Sequence, residues 1–319
     1  MVRTVDFFSG IGGFTHGATQ AGADVVLAAN HNPDAIEYHT RNHPTARHVE
    51  QDLGELDMRG LPDFDLLLAS PCCQGFSPSG RPGQSTQHRV DRDKVLAKRQ
   101  VARNTSFAVL SCADVKRPRR MLVENVPDFY AWEGFPAWRA MLEAFGYHVE
   151  QHVIRATDYG SAQDRERAII TASLDGPVRL ANVWLDFERR TIGDCLLPDD
   201  DPSLRWMPLD QKTDSIQARI GRARERAGNP SRFTWANVDS ARARTEEDVF
   251  ATFTTKSLSQ LHLVDGDRVR RLEAREVARG MSLPDSYQIP TARGTAGLLL
   301  GNMIDARVSQ GITQQVLEA

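Results

Sequence analysis

Up to about residue 175, short apolar runs alternate with longer amphipathic stretches. Val2 to Phe8 has the composition of a buried strand. Gly10, Gly12 and Gly13 then supply a tight turn, and a helix follows to about Ala21. Asp24 to Ala29 predicts a second strand, and Pro33 to Asn42 a second helix. Further strands are expected at Leu66–Ala69, Met121–Val123 and Ala168–Thr171. Strands alternating with helices predict a parallel, doubly wound α/β sheet. The pattern changes near Leu197. Pro198-Asp199-Asp200-Asp201-Pro202 is acidic and proline-broken, as a linker would be, and the chain from there to Glu247 is Arg-rich without clean periodicity. Regular structure is expected again at Phe250–Phe253, with a helix over Arg268–Gly280 and a Gly-led turn and helix over Thr295–Val316. No internal repeat is visible.

Composition fits this picture. The 319 residues are 40% apolar and 25% charged, as in an ordinary globular protein with one large α/β domain, with or without a smaller insert. No apolar run approaches the roughly 18 residues of a membrane span, and Met1 leads straight into a strand, unlike a signal peptide. The four cysteines, two of them adjacent, do not suggest a disulfide framework, so a reducing, cytoplasmic setting is expected. No metal site is predicted. Net charge is −3, yet basic residues cluster in three places. These are Arg89, Arg92, Lys94, Lys98, Arg99 and Arg103 (against Asp91 and Asp93), then Lys116-Arg117-Pro118-Arg119-Arg120, then Arg219, Arg222, Arg224, Arg226 and Arg232. Each is either a phosphate-binding face or a solvated helix face.

Two segments carry candidate chemistry. Pro71-Cys72-Cys73-Gln74-Gly75-Phe76-Ser77 follows the Leu66–Ala69 strand. A cysteine at a strand exit, in a Gly/Ser/Pro-rich loop, is placed to act as a nucleophile; the alternative is a small apolar side chain filling a loop. Phe7-Phe8-Ser9-Gly10-Ile11-Gly12-Gly13 ends a strand and opens a helix, which lets backbone approach a bound cofactor. Its spacing departs from G-x-G-x-x-G, so a nucleoside cofactor without a pyrophosphate fits better.

Taken in order, Asp6 to Gly13, the Cys73-Gln74-Gly75-Phe76-Ser77 loop, Glu124-Asn125-Val126, Gln163-Asp164-Arg165-Glu166-Arg167, Arg271 to Glu276 and Leu300-Gly301-Asn302-Met303 resemble the motifs of the C5-cytosine DNA methyltransferase family. The resemblance covers nearly the whole chain except roughly 200–247. It implies a Rossmann-like, S-adenosylmethionine-dependent catalytic domain with a small target-recognition insert. It also implies a thiolate that adds to cytosine C6 and makes C5 nucleophilic, with Glu124 at N3, Arg167 at O2 and Arg165 supporting the site. Either cysteine can be aligned with the nucleophile. The Asp65-to-Gln74 spacing favours Cys73, with Cys72 in the place of the family's usual proline; reading Cys72 instead requires an inserted residue. Cofactor contacts are implied for Asp6, Phe8, Ser9, Gly10, Ile11, Gly12, Gly13, Asn30, His31, Asp52, Leu53, Pro71, Asn302 and Met303. Asn30 stands where the family usually has a glutamate for the ribose hydroxyls, and an amide brings neither charge nor bidentate geometry.

The implied organisation is a catalytic domain at 1–199, a recognition region at 200–249 and a C-terminal segment at 250–319 returning to the catalytic domain. The expected partner is double-stranded DNA, with base flipping, in a bacterial, archaeal or phage restriction–modification setting. Rival readings are tRNA cytosine methylation, transfer of a modified methyl group from an altered donor, and a catalytically silent DNA-binding homologue.

Overall fold

A computed structural model describes residues 1–76, 97, 99–181, 187–236 and 242–319. Ser77, Arg89, Asp91, Arg92, Asp93, Lys94 and Lys98 lie outside the described residues. Two compact units are present. One comprises Met1–Arg155, Glu166–Val183 and Val308–Ala319; the other comprises Ala156–Arg165 and Trp184–Arg307.

The first unit contains β1 (Val2–Phe7), α1 (Gly13–Gln20), β2 (Ala23–Asn30), α2 (Pro33–Asn42), β3 (Arg47–Glu50), β4 (Leu66–Ala69), β5 (Arg120–Asn125) and β6 (His148–Arg155). After β7 (Gln163–Asp164), which belongs to the second unit, β8 (Glu166–Ser173) completes a seven-stranded sheet of order β3-β2-β1-β4-β5-β8-β6. The neighbours from β3 to β5 pair in parallel, whereas β8 runs antiparallel to both β5 and β6. The fold is thus the expected doubly wound α/β type, with one reversed strand that alternation did not predict. Leu66–Ala69 is buried at every position, which is why β4 reads as a continuous apolar run. Successive side chains on a strand face opposite ways. Val5 and Phe7 join a core with Val109 and Cys112 of the helix Phe107–Lys116 and Trp138 and Leu142 of the helix Phe135–Ala144. Asp6, on the opposite face, meets Thr15 of α1. The C-terminal helix Ala306–Glu318 is tied to this unit by Ser309 Oγ donating to the Phe14 carbonyl at 2.7 Å.

The second unit holds β9 (Met207–Pro208), β10 (Arg232–Ala236), β11 (Phe250–Ala251), β12 (Leu261–Asp265) and β13 (Arg268–Arg271). β10-β12-β13-β9 form an antiparallel sheet, and β11 pairs with β7. The helix Asp214–Arg226 buries Ile220 and Ala223 against Phe233, Trp235, Val264 and Val269. Three expectations are corrected. Among the described residues of 200–247, regular elements form at Met207–Pro208, Asp214–Arg226 and Arg232–Ala236, with Arg244 bridged to Thr234. Arg268–Gly280 is a strand followed by the helix Ala274–Gly280, and Thr295–Val316 is two helices, Arg293–Asn302 and Ala306–Glu318.

Candidate active site

In the first unit the carboxyl ends of β4 and β5 lie side by side, Ala69 opposite Val123. Beyond them come Pro71-Cys72-Cys73 on one side and Glu124-Asn125 on the other. Asn125 Nδ2 donates to the Pro71 carbonyl at 3.0 Å, while its Oδ1 accepts the Val126 amide at 2.9 Å. That one buried amide ties the cysteine loop to the strand carrying Glu124. Arg167 enters from β8, where Glu124 pairs with Ile169, so the two side chains are diagonal neighbours on one sheet face. Arg167 Nε reaches Glu124 Oε1 at 2.7 Å, and the side chains are only 13% and 8% exposed.

The cysteine loop is clamped along its length. The Cys72 amide donates to Thr105 Oγ1 at 3.0 Å, and that hydroxyl donates onward to the Ala102 carbonyl at 2.7 Å. Cys73-Gln74-Gly75 form a 3₁₀ turn closed by the Phe76 amide on the Cys73 carbonyl at 3.0 Å. Arg99 Nε and Arg103 Nε both donate to the Gly75 carbonyl, at 3.2 and 3.1 Å. A Cβ on Gly75 would lie 2.8 Å from Arg103 Cγ and 2.9 Å from the Arg99 carbonyl, so the close approach requires glycine. Phe76 anchors the turn edge-on against Phe129, with ring centroids 4.8 Å apart. Both Cys72 and Cys73 are half-buried. Burial pushes the Cys72 thiol up, which keeps it protonated near neutral pH.

The glycine turn stands over the ends of β1 and β2. The Ser9 amide donates to the Ala29 carbonyl at 3.2 Å, and Gly12, at φ 103°, begins α1. Phe8 and Gly10 also take positive φ, 59° and 55°, a conformation that strains the phenylalanine. Ile11, Gly12 and Gly13 are buried. Asp6 lies fully buried beneath the loop, its Oδ2 accepting from the Thr15 hydroxyl at 2.7 Å. Burial raises the Asp6 carboxyl to about 7. Asn30, at the end of β2, is buried with its Oδ1 committed to the Asn32 amide at 2.9 Å; His31 is exposed. Asp52 is exposed and caps the Gly54 amide at 2.9 Å, while the Leu53 side chain is in the core. Positive-φ glycines, a helix N-terminus and polar strand ends fit a nucleoside donor carrying a carboxylate.

Arg165, Asn302 and Met303 belong to the second unit. Arg165 donates to the carbonyls of Phe253, Gly301 and Met303 at 2.6, 3.2 and 3.1 Å, which caps the carboxyl end of the helix Arg293–Asn302. Asn302 is exposed and Met303 buried. Glu276 forms a buried pair with Arg270 at 2.6 Å and also accepts the Leu197 and Glu273 amides.

The basic clusters separate into different uses. Lys116, Arg117, Arg119 and Arg120 surround the start of β5, the end opposite Glu124. There they bind Asp63, the Phe145 carbonyl, Asp175 and the Val316 carbonyl. They do not flank the candidate site. Arg232 is held by Asp199, Glu246 and Asp265 at 2.8, 2.6 and 3.2 Å, and Arg224 lies over the Phe233 ring, so neither is a phosphate ligand on the surface. Arg222 and Arg226 are exposed. Sequence reasoning missed Arg99, Arg103, Thr105 and Asn125 as supports of the cysteine loop. Only Asn125 left a signal, through its place in the Glu124-Asn125-Val126 motif.

A family model described as C-5 cytosine-specific DNA methylase matches residues 2–318. The chain belongs to this family. It is an enzyme of the DNA (cytosine-5)-methyltransferase class, and its relatives include Type II methyltransferases. M.NlaX of Neisseria lactamica is 27% identical over 100% of this chain and 97% of its own length. M.HhaI of Haemophilus parahaemolyticus is 24% identical over 99% of this chain and 94% of its own. DNA (cytosine-5)-methyltransferase 1 of Rattus norvegicus is 33% identical over 55% of this chain, which is 11% of that longer protein. Among solved structures, the Dnmt2 methyltransferase of S. pombe superposes with a TM-score of 0.70 at 21% identity, covering 99% of this chain and 98% of its own. The family carries a methyl donor and a DNA substrate. Among the described residues no helix is long and apolar enough to cross a membrane.

Proposed function

We propose that this methyltransferase modifies C5 of a flipped-out cytosine in duplex DNA, with Cys73 as the nucleophile and S-adenosylmethionine as donor. The observation that carries the reading is the sheltered Glu124–Arg167 pair at 2.7 Å beside a cysteine loop tied to the same strand by Asn125. Addition of the Cys73 thiolate to C6 breaks aromaticity and pushes electron density to C5 and N3. Glu124, fixed on β5, meets the charge at N3 and Arg167 holds O2. Arg99, Arg103 and Thr105 keep the loop in register, so that the thiolate arrives pre-positioned. After methylation, loss of the C5 proton expels Cys73 and restores the ring. The donor supplies an electrophilic methyl group. Gly10, Gly12 and Gly13 would hold its carboxylate end and Phe8, Asn30, Asp52 and Pro71 its nucleoside. Because cytosine is reached outside the stack, the enzyme must extrude the base.

Target recognition is assigned to residues 200–249 together with β12 and β13, which complete their sheet; exposed Arg222 and Arg226 supply phosphate contacts. The neutral Asn30, already engaged by Asn32, supports a second reading, an altered donor. Mass analysis of nucleosides from duplex DNA and tRNA incubated with the enzyme and S-adenosylmethionine tests both. 5-Methylcytosine in the DNA is expected. Modification of tRNA alone, or no product from S-adenosylmethionine, contradicts the reading.

A further inference from the structure

Four of the nine histidines meet in the first unit, drawn from three elements: His16 on α1, His39 and His43 on and just after α2, and His48 on β3. Ring centroids of His39 lie 4.8 Å from His43 and 4.9 Å from His48, and those of His16 and His43 are 6.0 Å apart. His39 is fully buried and uses both ring nitrogens. Its Nδ1 is 2.8 Å from His48 Nε2, and its Nε2 is 3.1 Å from Thr15 Oγ1. The hydroxyl proton of Thr15 is directed to Asp6 Oδ2 at 2.7 Å. These contacts form one continuous chain from half-exposed His48 through His39 and Thr15 to buried Asp6. His43 closes the cluster on the other side, its ring hydrogen-bonded to the backbone of Gly12, the residue that starts α1.

We infer that this histidine cluster is a proton-sensitive support for the glycine turn, so that protonation of the cluster releases the turn and with it the methyl donor. The inference rests on the proposed donor site. Protonating both His39 and His48 would set two N–H groups against each other across 2.8 Å, and a charge on His39 also faces the His43 ring 4.8 Å away. Burial, with mutual repulsion, already holds His39 far below the ordinary histidine value and His43 down to about 4. Burial alone lowers His16, and His48 is lowered as well. The remaining charged groups on α2 and β3 do not offset this: Glu37 and Arg41 pair with each other on the exposed side, and Asp34, Arg47 and Glu50 lie at the surface. Asp6 works in the opposite sense. Its carboxyl, with Oδ1 unpartnered among the described residues, takes up a proton in the closed turn as the pH falls through about 7, which favours closure, but that is one proton set against a cluster of four histidines. The closed turn therefore binds fewer histidine protons than an open one between about pH 6.5 and 4, and acid favours opening.

Two measurements on the full chain test this. The first is calorimetric affinity for S-adenosylhomocysteine from pH 8 to 5, for wild type, His43→Gln and His48→Gln. The ligand's own titration is common to all three proteins. Wild-type affinity should fall by more than about tenfold per pH unit below pH 6, the limit for one linked proton. Both variants should show a shallower fall. The second is amide exchange of the segment 7–20, corrected for intrinsic rate, which needs no ligand. Its protection should drop at least about tenfold from pH 7 to 5 in wild type while β4 and β5 stay protected. Unchanged protection of 7–20 overturns the inference, as do identical pH slopes in all three proteins. Failure of the wild type to bind at pH 8 would sink the donor reading instead, leaving the exchange result to decide the cluster.

Discussion

Replacing Glu124 by glutamine removes one charge and one acid while keeping shape. The structural cost can be bounded. Arg167 Nε sits 2.7 Å from the carboxylate in a site where both side chains are mostly sheltered. Glutamine still offers a carbonyl acceptor to the guanidinium, so a hydrogen bond to a charged group, about 1.5–3 kcal/mol, is kept and only the charge–charge attraction of the pair is lost. Stability should fall by about 1 kcal/mol, a melting shift of a few degrees. Catalysis should lose far more. Removing a general acid–base group costs roughly 10²–10⁴-fold, which is about 2.7–5.4 kcal/mol of barrier. Single-turnover transfer of labelled methyl groups to saturating duplex DNA reads the barrier, and gel-shift titration reads binding, which should stay within about threefold because the N3 contact matters most once C6 is attacked. Methyl transfer within about tenfold of wild type would refute the role given to Glu124. A collapse of the melting transition would show that its role is structural.

Three further outcomes follow from the same geometry. Gly75→Ala should destabilise by about 1–3 kcal/mol through overpacking against Arg103 and the Arg99 backbone. It should depress methyl transfer more than donor binding, and an unchanged rate would mean the turn need not be held tightly. Neutralising Arg222 and Arg226 should weaken DNA binding and flatten its salt dependence by about 0.9 for each phosphate that the pair had neutralised; an unchanged slope would leave them a solvated helix face. Cys72→Ser should retain substantial turnover, since the loop is fixed through the Cys72 backbone amide rather than its thiol, and loss of turnover would show that the thiol itself is required.

The parallel sheet was legible because buried strands such as Leu66–Ala69 write themselves as apolar runs. The reversal of β8 was not, because a two-sided buried strand looks the same in either direction. The strand Arg268–Arg271 reads as helix from its arginines, one of which is neutralised by Glu276 only in three dimensions. β9 and β10 find their partners at β13 and β12, too far along the chain for local periodicity to register. Cys73, Glu124 and Arg167 stood out through their motifs. Their supports did not: Thr105 lies 33 residues from Cys72 and Arg103 lies 28 from Gly75, and nothing in either segment marks the pairing. Charge clustering was the least reliable guide, since the 116–120 group serves the opposite end of its strand.

The most direct test of the central claim is to trap the enzyme on duplex DNA carrying 5-fluorocytosine with S-adenosylmethionine present, then map the adduct by peptide mass spectrometry. Fluorine at C5 cannot leave as a proton does, so the cysteine–C6 bond persists. The account predicts one DNA-linked peptide with the bond on Cys73, lost in Cys73→Ser and kept in Cys72→Ser. A bond on Cys72 would contradict the assignment of the nucleophile, and the absence of any adduct with DNA bound would contradict the covalent mechanism itself.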